Sequence, residues 1–183
     1  MRVIGGELRG RRLRAPSGAA TRPTSDRVRE ALFDIIAARV EGVLFLDAYA
    51  GTGAVGIESL SRGAAHCTFV ESERNAARVL TGNLEALDLS SRARVLTAPF
   101  ALAAAELARE GRAFDVVFLD PPYGHGELLR GLRLTASLPL LRPGGVVIAE
   151  HGGKLETPAR EGVLGLKRTA RYGDTRLSFF ERG

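Results

Sequence analysis

Five short apolar runs set the frame of this chain. They are Val43-Leu44-Phe45-Leu46, His66-Cys67-Thr68-Phe69-Val70, Ala93-Arg94-Val95-Leu96, Phe114-Asp115-Val116-Val117-Phe118-Leu119 and Val146-Val147-Ile148-Ala149-Glu150. Each is too short for an ordinary helix and apolar enough to be a strand covered on both faces. Helical spacing fills the gaps. One helix region starts near Thr24 or Ser25, where either residue can cap it, and is closed by Gly42. There Val28, Leu32, Ile35 and Ile36 share a face, with Arg27 and Arg29 off it and free to meet solvent or phosphate. Further helices are predicted over 54–62, 74–86, through Leu102 and Leu107 to Gly111, and over 127–138. Strand and helix alternate five times, which predicts an α/β sheet wound with parallel strands. Residues 163–172 and 175–180 flank Gly173-Asp174 and predict a closing antiparallel hairpin, giving seven strands in all.

With 183 residues, 45% of them hydrophobic, the chain suits one domain with a substantial core. It has no run of membrane-spanning length and no leader-like apolar segment at Met1. The single cysteine, Cys67, cannot form an internal disulfide and reads as a small buried side chain. A soluble cytoplasmic protein is expected. The formal net charge of +5 is concentrated at one end: residues 1–29 hold eight arginines against Glu7 and Asp26. Arginine forks suit phosphate, so a nucleic acid partner is expected. Arg2-Val3-Ile4 and Arg12-Leu13-Arg14, with Gly5-Gly6 and Gly10 between them, predict a small hairpin, and 16–20 a flexible connector. The chain thus divides into a basic extension, 1–23, expected to meet nucleic acid, and a main domain, 24–183.

In an open parallel sheet, ligands sit outside the carboxyl ends of the strands. Asp47, Gly51, Gly53, Glu71 and Asp120 all fall at or just past such ends. Gly51-Thr52-Gly53-Ala54-Val55-Gly56 is literally G-x-G-x-x-G, and Glu71 lies 20 residues past Gly51. A dinucleotide site is therefore one competitor. Against it, four residues separate Leu46 from Gly51, an acid stands at the first strand's end, and the segment after the fourth strand has no use. S-adenosylmethionine uses all the parts. Asp47 serves its methionyl end, directly or through the loop; the glycines permit close backbone approach; Glu71 accepts the ribose hydroxyls. The segment after the fourth strand is Asp120-Pro121-Pro122-Tyr123. Two prolines remove donors and stiffen the corner, leaving the Asp120 carboxylate and the carbonyls as acceptors beside the flat Tyr123 ring. Acceptors next to a stacking ring suit a planar base that carries an exocyclic amine.

Asp47-Ala48-Tyr49-Ala50-Gly51-Thr52-Gly53 together with Asp120-Pro121-Pro122-Tyr123 resembles the class I S-adenosylmethionine-dependent methyltransferases of the amino-methylating type. Ile4-Gly5-Gly6, Arg9-Gly10-Arg11, Arg22-Pro23-Thr24, Asp26-Arg27-Val28-Arg29-Glu30-Ala31-Leu32-Phe33 and Leu60-Ser61-Arg62-Gly63-Ala64 narrow the likeness to the RsmD family. That resemblance implies a Rossmann-like sheet and methylation of N2 of one guanine, position 966, in 16S ribosomal RNA. It implies catalytic roles for Asp120, Pro121, Pro122 and Tyr123. It implies cofactor contacts from Thr24, Asp47, Tyr49, Gly51, Gly53, Glu71 and Phe100, and RNA contacts from Arg9, Arg11, Arg12, Arg14, Arg22 and Arg27. No metal is implied. Related enzymes often place an acid after the third strand to meet the adenine amine; here Thr97-Ala98-Pro99-Phe100 has none, and Phe100 is the expected substitute. His125 is expected to be a solvated loop residue. The implied substrate is a partly or fully assembled small ribosomal subunit; a monomer is the default expectation. An adenine-N6 DNA methyltransferase, a glutamine-N5 protein methyltransferase and a non-catalytic RNA-binding module are the competing assignments.

Overall fold

A computed structural model describes residues 1–15, 25–122 and 124–183. The connector, Arg22, Thr24, Tyr123 and the His125 side chain lie outside the described residues.

Ser25 opens the first helix, α1 (Asp26–Ile35), its hydroxyl accepting from the Val28 amide at 3.3 Å. The remaining elements follow as β1 (Leu44–Asp47), α2 (Ala54–Ser61), β2 (His66–Val70), α3 (Arg74–Ala86), β3 (Ala93–Leu96), α4 (Phe100–Arg109), β4 (Phe114–Leu119), α5 (Gly124–Ser137), β5 (Leu141–Gly152), β6 (Arg160–Glu161), β7 (Leu164–Tyr172) and β8 (Thr175–Arg182). They form one sheet in the order β3-β2-β1-β4-β5-β8-β7-β6. Strands β1 to β5 pair in parallel, and β8 and β7 close the sheet antiparallel. The expected seven strands are eight among the described residues: the two-residue β6 pairs with β7 through Arg160↔Gly165 and Glu161↔Leu164. Nothing in so short and polar a segment marks a strand before its neighbour is in place.

The sheet separates two apolar layers. One holds Val28, Leu32 and Phe33 of α1, Ile57 and Leu60 of α2 and Leu80 and Leu84 of α3. The other holds Phe100 and Leu107 of α4 and Leu128 and Leu132 of α5 against Leu46, Val117, Leu119, Val147 and Phe180. Register sets the level of the strand ends. Asp47 lies across from Phe69 and Phe118, Val70 from Leu96, and Leu119 from Ala149. The residues that follow these strands therefore emerge on one rim.

The N-terminal hairpin is slighter than expected. It is a single bridge, Arg2↔Arg12, supported by Val3 N–H to Arg11 O and Gly10 N–H to Val3 O, both 2.9 Å. Its stability comes from docking. Val3 and Leu13 are buried in the first core layer, where each contributes on the order of 1.5–3 kcal/mol. The two Glu58 carboxylate oxygens accept from the Ile4 and Gly5 amides at 2.8 and 2.7 Å. The Ser61 hydroxyl accepts from the Leu8 amide at 3.0 Å and donates to Gly5 O at 2.6 Å. Gly6 is required here: its φ is +73°, and a Cβ would sit 1.8 Å from Ser61 O.

Arg29 corrects the sequence expectation. It does not meet solvent but is fully buried, donating to Arg2 O at 2.6 Å and Asp26 Oδ1 at 3.0 Å, with Glu58 at 3.7 Å. Burial lowers its pKa from the ordinary value, and Glu58 and Asp26 oppose that shift. Helical spacing placed Arg29 beside the apolar stripe, but a carboxylate on α2 draws the guanidinium inward. Arg27 is exposed as expected. Replacing Glu58 by Ala strips two hairpin amides of their acceptor and leaves Arg29 buried without its main counter-charge. Glu58→Ala is expected to lower the unfolding free energy by about 3–5 kcal/mol in urea denaturation; a loss below 1 kcal/mol would contradict this account.

Candidate active site at the strand ends

Asp47, the last residue of β1, is 1% exposed, and its Oδ2 accepts from the Gly56 amide at 3.0 Å. Gly56 lies in the first turn of α2, so the carboxylate caps that helix from the neighbouring strand. The loop between them is held to the sheet rim by Ala48 N–H to Phe118 O at 3.0 Å and Ala50 N–H to Val70 O at 2.8 Å. Gly53 turns the chain into α2 with φ +83°, and a Cβ there would lie 2.2 Å from Leu80 Cδ1. Gly51, with φ +54°, has no neighbouring atom within 4 Å of that position. Gly53 serves packing, whereas Gly51 leaves open space for a ligand.

Glu71 follows β2 and joins the same loop. Its Oε2 accepts from the Gly51 amide and its Oε1 from the Glu73 amide, both at 2.7 Å. Each carboxylate oxygen keeps further acceptor capacity. Asp120 follows β4 and is half-buried, with Pro121 half-buried and Pro122 exposed beside it. Asp47 feels the charges of the other two acids. The Asp47 pKa is pushed up to about 7, chiefly by burial and also by the charges of Asp120 and Glu71, against hydrogen bonds from the Gly56 and Tyr49 backbone. A pocket with this balance favours a cationic ligand. Among the described residues no group of three or more His, Cys, Asp or Glu side chains is placed to hold a metal ion.

Tyr49 and Phe100 are less exposed than cofactor contacts would suggest. Their ring centroids are 5.5 Å apart and tilted by 53°. Phe100 is 5% exposed within the second core layer, so Tyr49 covers the ring that was expected to meet an adenine. Tyr49 is half-buried against α5, and burial, with Glu127 adding, pushes its pKa up to about 12. Phe100 supports Tyr49, and Tyr49 lines the loop.

Arg9, Arg11, Arg12, Arg14 and Arg27 are all exposed. Arg11 also donates to Ala86 O at 3.0 Å, which caps the end of α3. Sequence reasoning missed Asn83. It is buried in α3, accepts from the Arg14 amide at 2.8 Å, and donates to Arg14 O and Thr52 O, both at 3.1 Å. One side chain thus ties the basic segment to the glycine loop. The available signal was a polar residue lying between Leu80 and Leu84 on an apolar helix face.

The raised Asp47 pKa has a consequence for stability. Between its ordinary value of 3.8 and about 7, the folded chain holds a proton that the unfolded chain releases. The unfolding free energy of the ligand-free protein is therefore expected to fall as pH rises through that window and to level off above it. Asp47→Asn should flatten this part of the profile, measured by urea denaturation at a series of pH values; an unchanged slope would contradict the assignment.

The chain matches the family model described as conserved hypothetical protein 95 over residues 1–181. A Bacillus subtilis protein, YlbH, named as a candidate rRNA methyltransferase, is 37% identical over 182 residues, spanning 100% of this chain and 99% of that protein. The ribosomal RNA small subunit methyltransferase D of Escherichia coli is 41% identical over 134 residues, covering 73% of this chain and 66% of that protein. A solved Escherichia coli structure described as a candidate methyltransferase, yhhF, superposes with a TM-score of 0.86 at 35% identity, over 100% of this chain and 97% of that one. The fold is the Rossmann-like sheet of the class I methyltransferases. With a family match over residues 1–181 and three acids on one rim of the sheet, the chain belongs to the conserved hypothetical protein 95 family, the RsmD family.

Proposed function

We propose that this chain methylates the exocyclic N2 of a guanine in 16S ribosomal RNA with S-adenosylmethionine as the methyl donor. The observation that carries the proposal is the shared rim: Asp120 lies close enough to Asp47 to shift its protonation, and Asp47 and Glu71 hold the same glycine loop. The residues fit the donor's chemistry. Three acids favour its cationic groups, and Gly51 offers a backbone wall without a Cβ. When bound, S-adenosylmethionine supplies an electrophilic methyl group on a cationic sulfur.

The chain's own residues do the rest. Glu71 accepts from the ribose hydroxyls with the lone pairs that the Gly51 and Glu73 amides leave over. Asp47 keeps the loop in shape and contributes its charge to the methionyl end. Thr24 and Tyr49 complete the cofactor set, with Phe100 behind Tyr49. The Asp120 carboxylate and the Pro121 carbonyl accept from the two N–H groups of the amine, which orients its nitrogen and favours the positive charge that develops on it. Holding that nitrogen beside a bound methyl donor would supply a proximity term of up to about 7–11 kcal/mol. Asp120 or solvent then takes the proton that the nitrogen sheds. Pro122 stiffens the corner, and Tyr123 stacks on the extruded base, contributing about 1–3 kcal/mol.

Residues 1–23 form the RNA-binding extension of the methyltransferase domain 24–183. Arg9, Arg11, Arg12, Arg14, Arg22 and Arg27 hold the RNA backbone. The substrate is guanine 966 in a partly or fully assembled small ribosomal subunit, met by a monomer in the cytoplasm. Among the described residues, no helix is long and apolar enough to cross a membrane.

Labelled-methyl transfer to free 16S RNA, small subunits and duplex DNA tests the proposal. Label in guanine N2 of the RNA supports it, and label in DNA adenine overturns it. Asp120→Ala is expected to lower turnover by about 10²–10³-fold while calorimetry finds S-adenosylmethionine affinity within a few-fold of the parent. Equal loss of both would make Asp120 a structural residue.

A further inference from the structure

The C-terminal hairpin carries a cationic row that the methyl-transfer chemistry leaves unused. Along one face of β8 the side chains run Phe180, Ser178, Arg176, from the second core layer toward the carboxyl end of β5. Arg176 is registered with His151 on β5 and with Arg171 on β7, so the three share a face. The platform beneath them is rigid. The Ser178 hydroxyl meets His151 Nε2 at 2.9 Å, Thr169 Oγ1 at 3.1 Å and Thr157 Oγ1 at 3.2 Å. His151 Nδ1 faces Gly152 O at 3.2 Å, and a carbonyl only accepts. In the neutral ring the proton then sits on Nδ1, and Nε2 accepts from Ser178.

Arg171 and Arg176 are directly opposite on the paired strands β7 and β8, so two guanidinium side chains project from neighbouring positions of one face. Like charges directly opposite on paired strands are unfavourable. Among the described residues, neither Arg171 nor Arg176 forms an ion pair with a carboxylate. Arg171 donates to Gly173 O at 3.1 Å within its own turn. Arg171 is exposed and Arg176 half-buried. An anion set between them would relieve the repulsion and match the fork geometry of both.

The location says which anion. Leu119 is registered with Ala149, so Asp120 leaves β4 beside Glu150, one residue before His151. Arg176 stands two strands from β4, roughly 10 Å across the sheet. The N-terminal hairpin lies on the other flank, against α2 and α3. We propose that Arg171 and Arg176 bind a backbone phosphate of the target RNA, so that the strand entering the Asp120 corner is gripped on both sides. This inference rests on the RNA methyltransferase reading and adds a contact surface to it.

The test is binding of unmodified 16S RNA to the full chain across a salt series, beside methylation assays. The Arg171→Ala, Arg176→Ala double variant is expected to bind roughly ten-fold more weakly near physiological salt. Its slope of log affinity against log salt should drop by about 1–2. S-adenosylmethionine affinity and kcat at saturating RNA should stay within two-fold, with the loss in KM. The melting temperature should not fall, because a repulsive pair has been removed. The double lysine variant should keep most of the salt slope. Arg168→Ala, whose register with Phe179 puts it on the opposite face, should leave the slope unchanged. A double alanine variant with parental affinity and slope overturns the inference while leaving methylation of RNA intact. A parent chain that neither binds nor methylates the RNA overturns the functional reading and this inference with it.

Discussion

The hydrogen bond from the Gly56 amide to the buried Asp47 carboxylate is the constraint on which the site depends. It joins the end of β1 to the start of α2 across the glycine loop, fixing both entrance and exit of that loop. A buried carboxylate is costly, and its raised pKa records the cost. The arrangement is tolerable because the helix start offers partial positive charge, and a cationic ligand would offset more of it. Glu71 then extends the same logic by holding the Gly51 amide from the next strand. The rim is thus shaped by anions bonded to backbone, and Glu71 keeps acceptor capacity for a ligand.

A second buried charge cluster fixes the basic extension. Glu58 accepts from the hairpin amides and also meets Arg29 and Arg62, the latter at 2.8 Å. This cluster lies along α2, whose other end begins at the glycine loop. Asn83 closes the circuit by bonding both Arg14 and Thr52. The extension and the loop therefore share α2 and α3 as common supports. Displacing either one strains contacts made by the other.

Where one chain segment decides an element, the sequence was enough to read it. The boundaries expected for 66–70, 74–86 and 93–96 are those of β2, α3 and β3, because apolar runs, helical spacing and local caps agree there. Asp47, Gly51, Glu71 and Asp120 were placed at strand ends by topology alone, and that is where they stand. What could not be read depends on partners distant in sequence. Arg29 is buried because Glu58 lies across from it. Phe100 is covered because Tyr49 turns back onto it. Residues 160–161 become a strand because β7 is there to pair with them. Strand β5 extends to Leu141 because Phe114 pairs with it across an irregularity in the ladder. The cationic row on the hairpin needed the register of three strands before its members could be seen as neighbours.

The same geometry explains why a literal dinucleotide fingerprint need not hold a dinucleotide. In that motif the pyrophosphate sits at the helix N-terminus, on backbone amides that have no other acceptor. Here the amide of Gly56 already donates to a carboxylate. A phosphate brought to the same turn would face Asp47 with Glu71 and Asp120 near enough to raise its pKa. The glycines are also committed: Gly53 is closed by Leu80, and Gly56 lets α2 approach Phe69, where a Cβ would be 2.2 Å from the ring. Only Gly51 keeps open space. Spacing alone makes the two kinds of site look alike, whereas the charge at the start of α2 separates them. An acid at the end of the first strand turns an anion site into one that favours a cation.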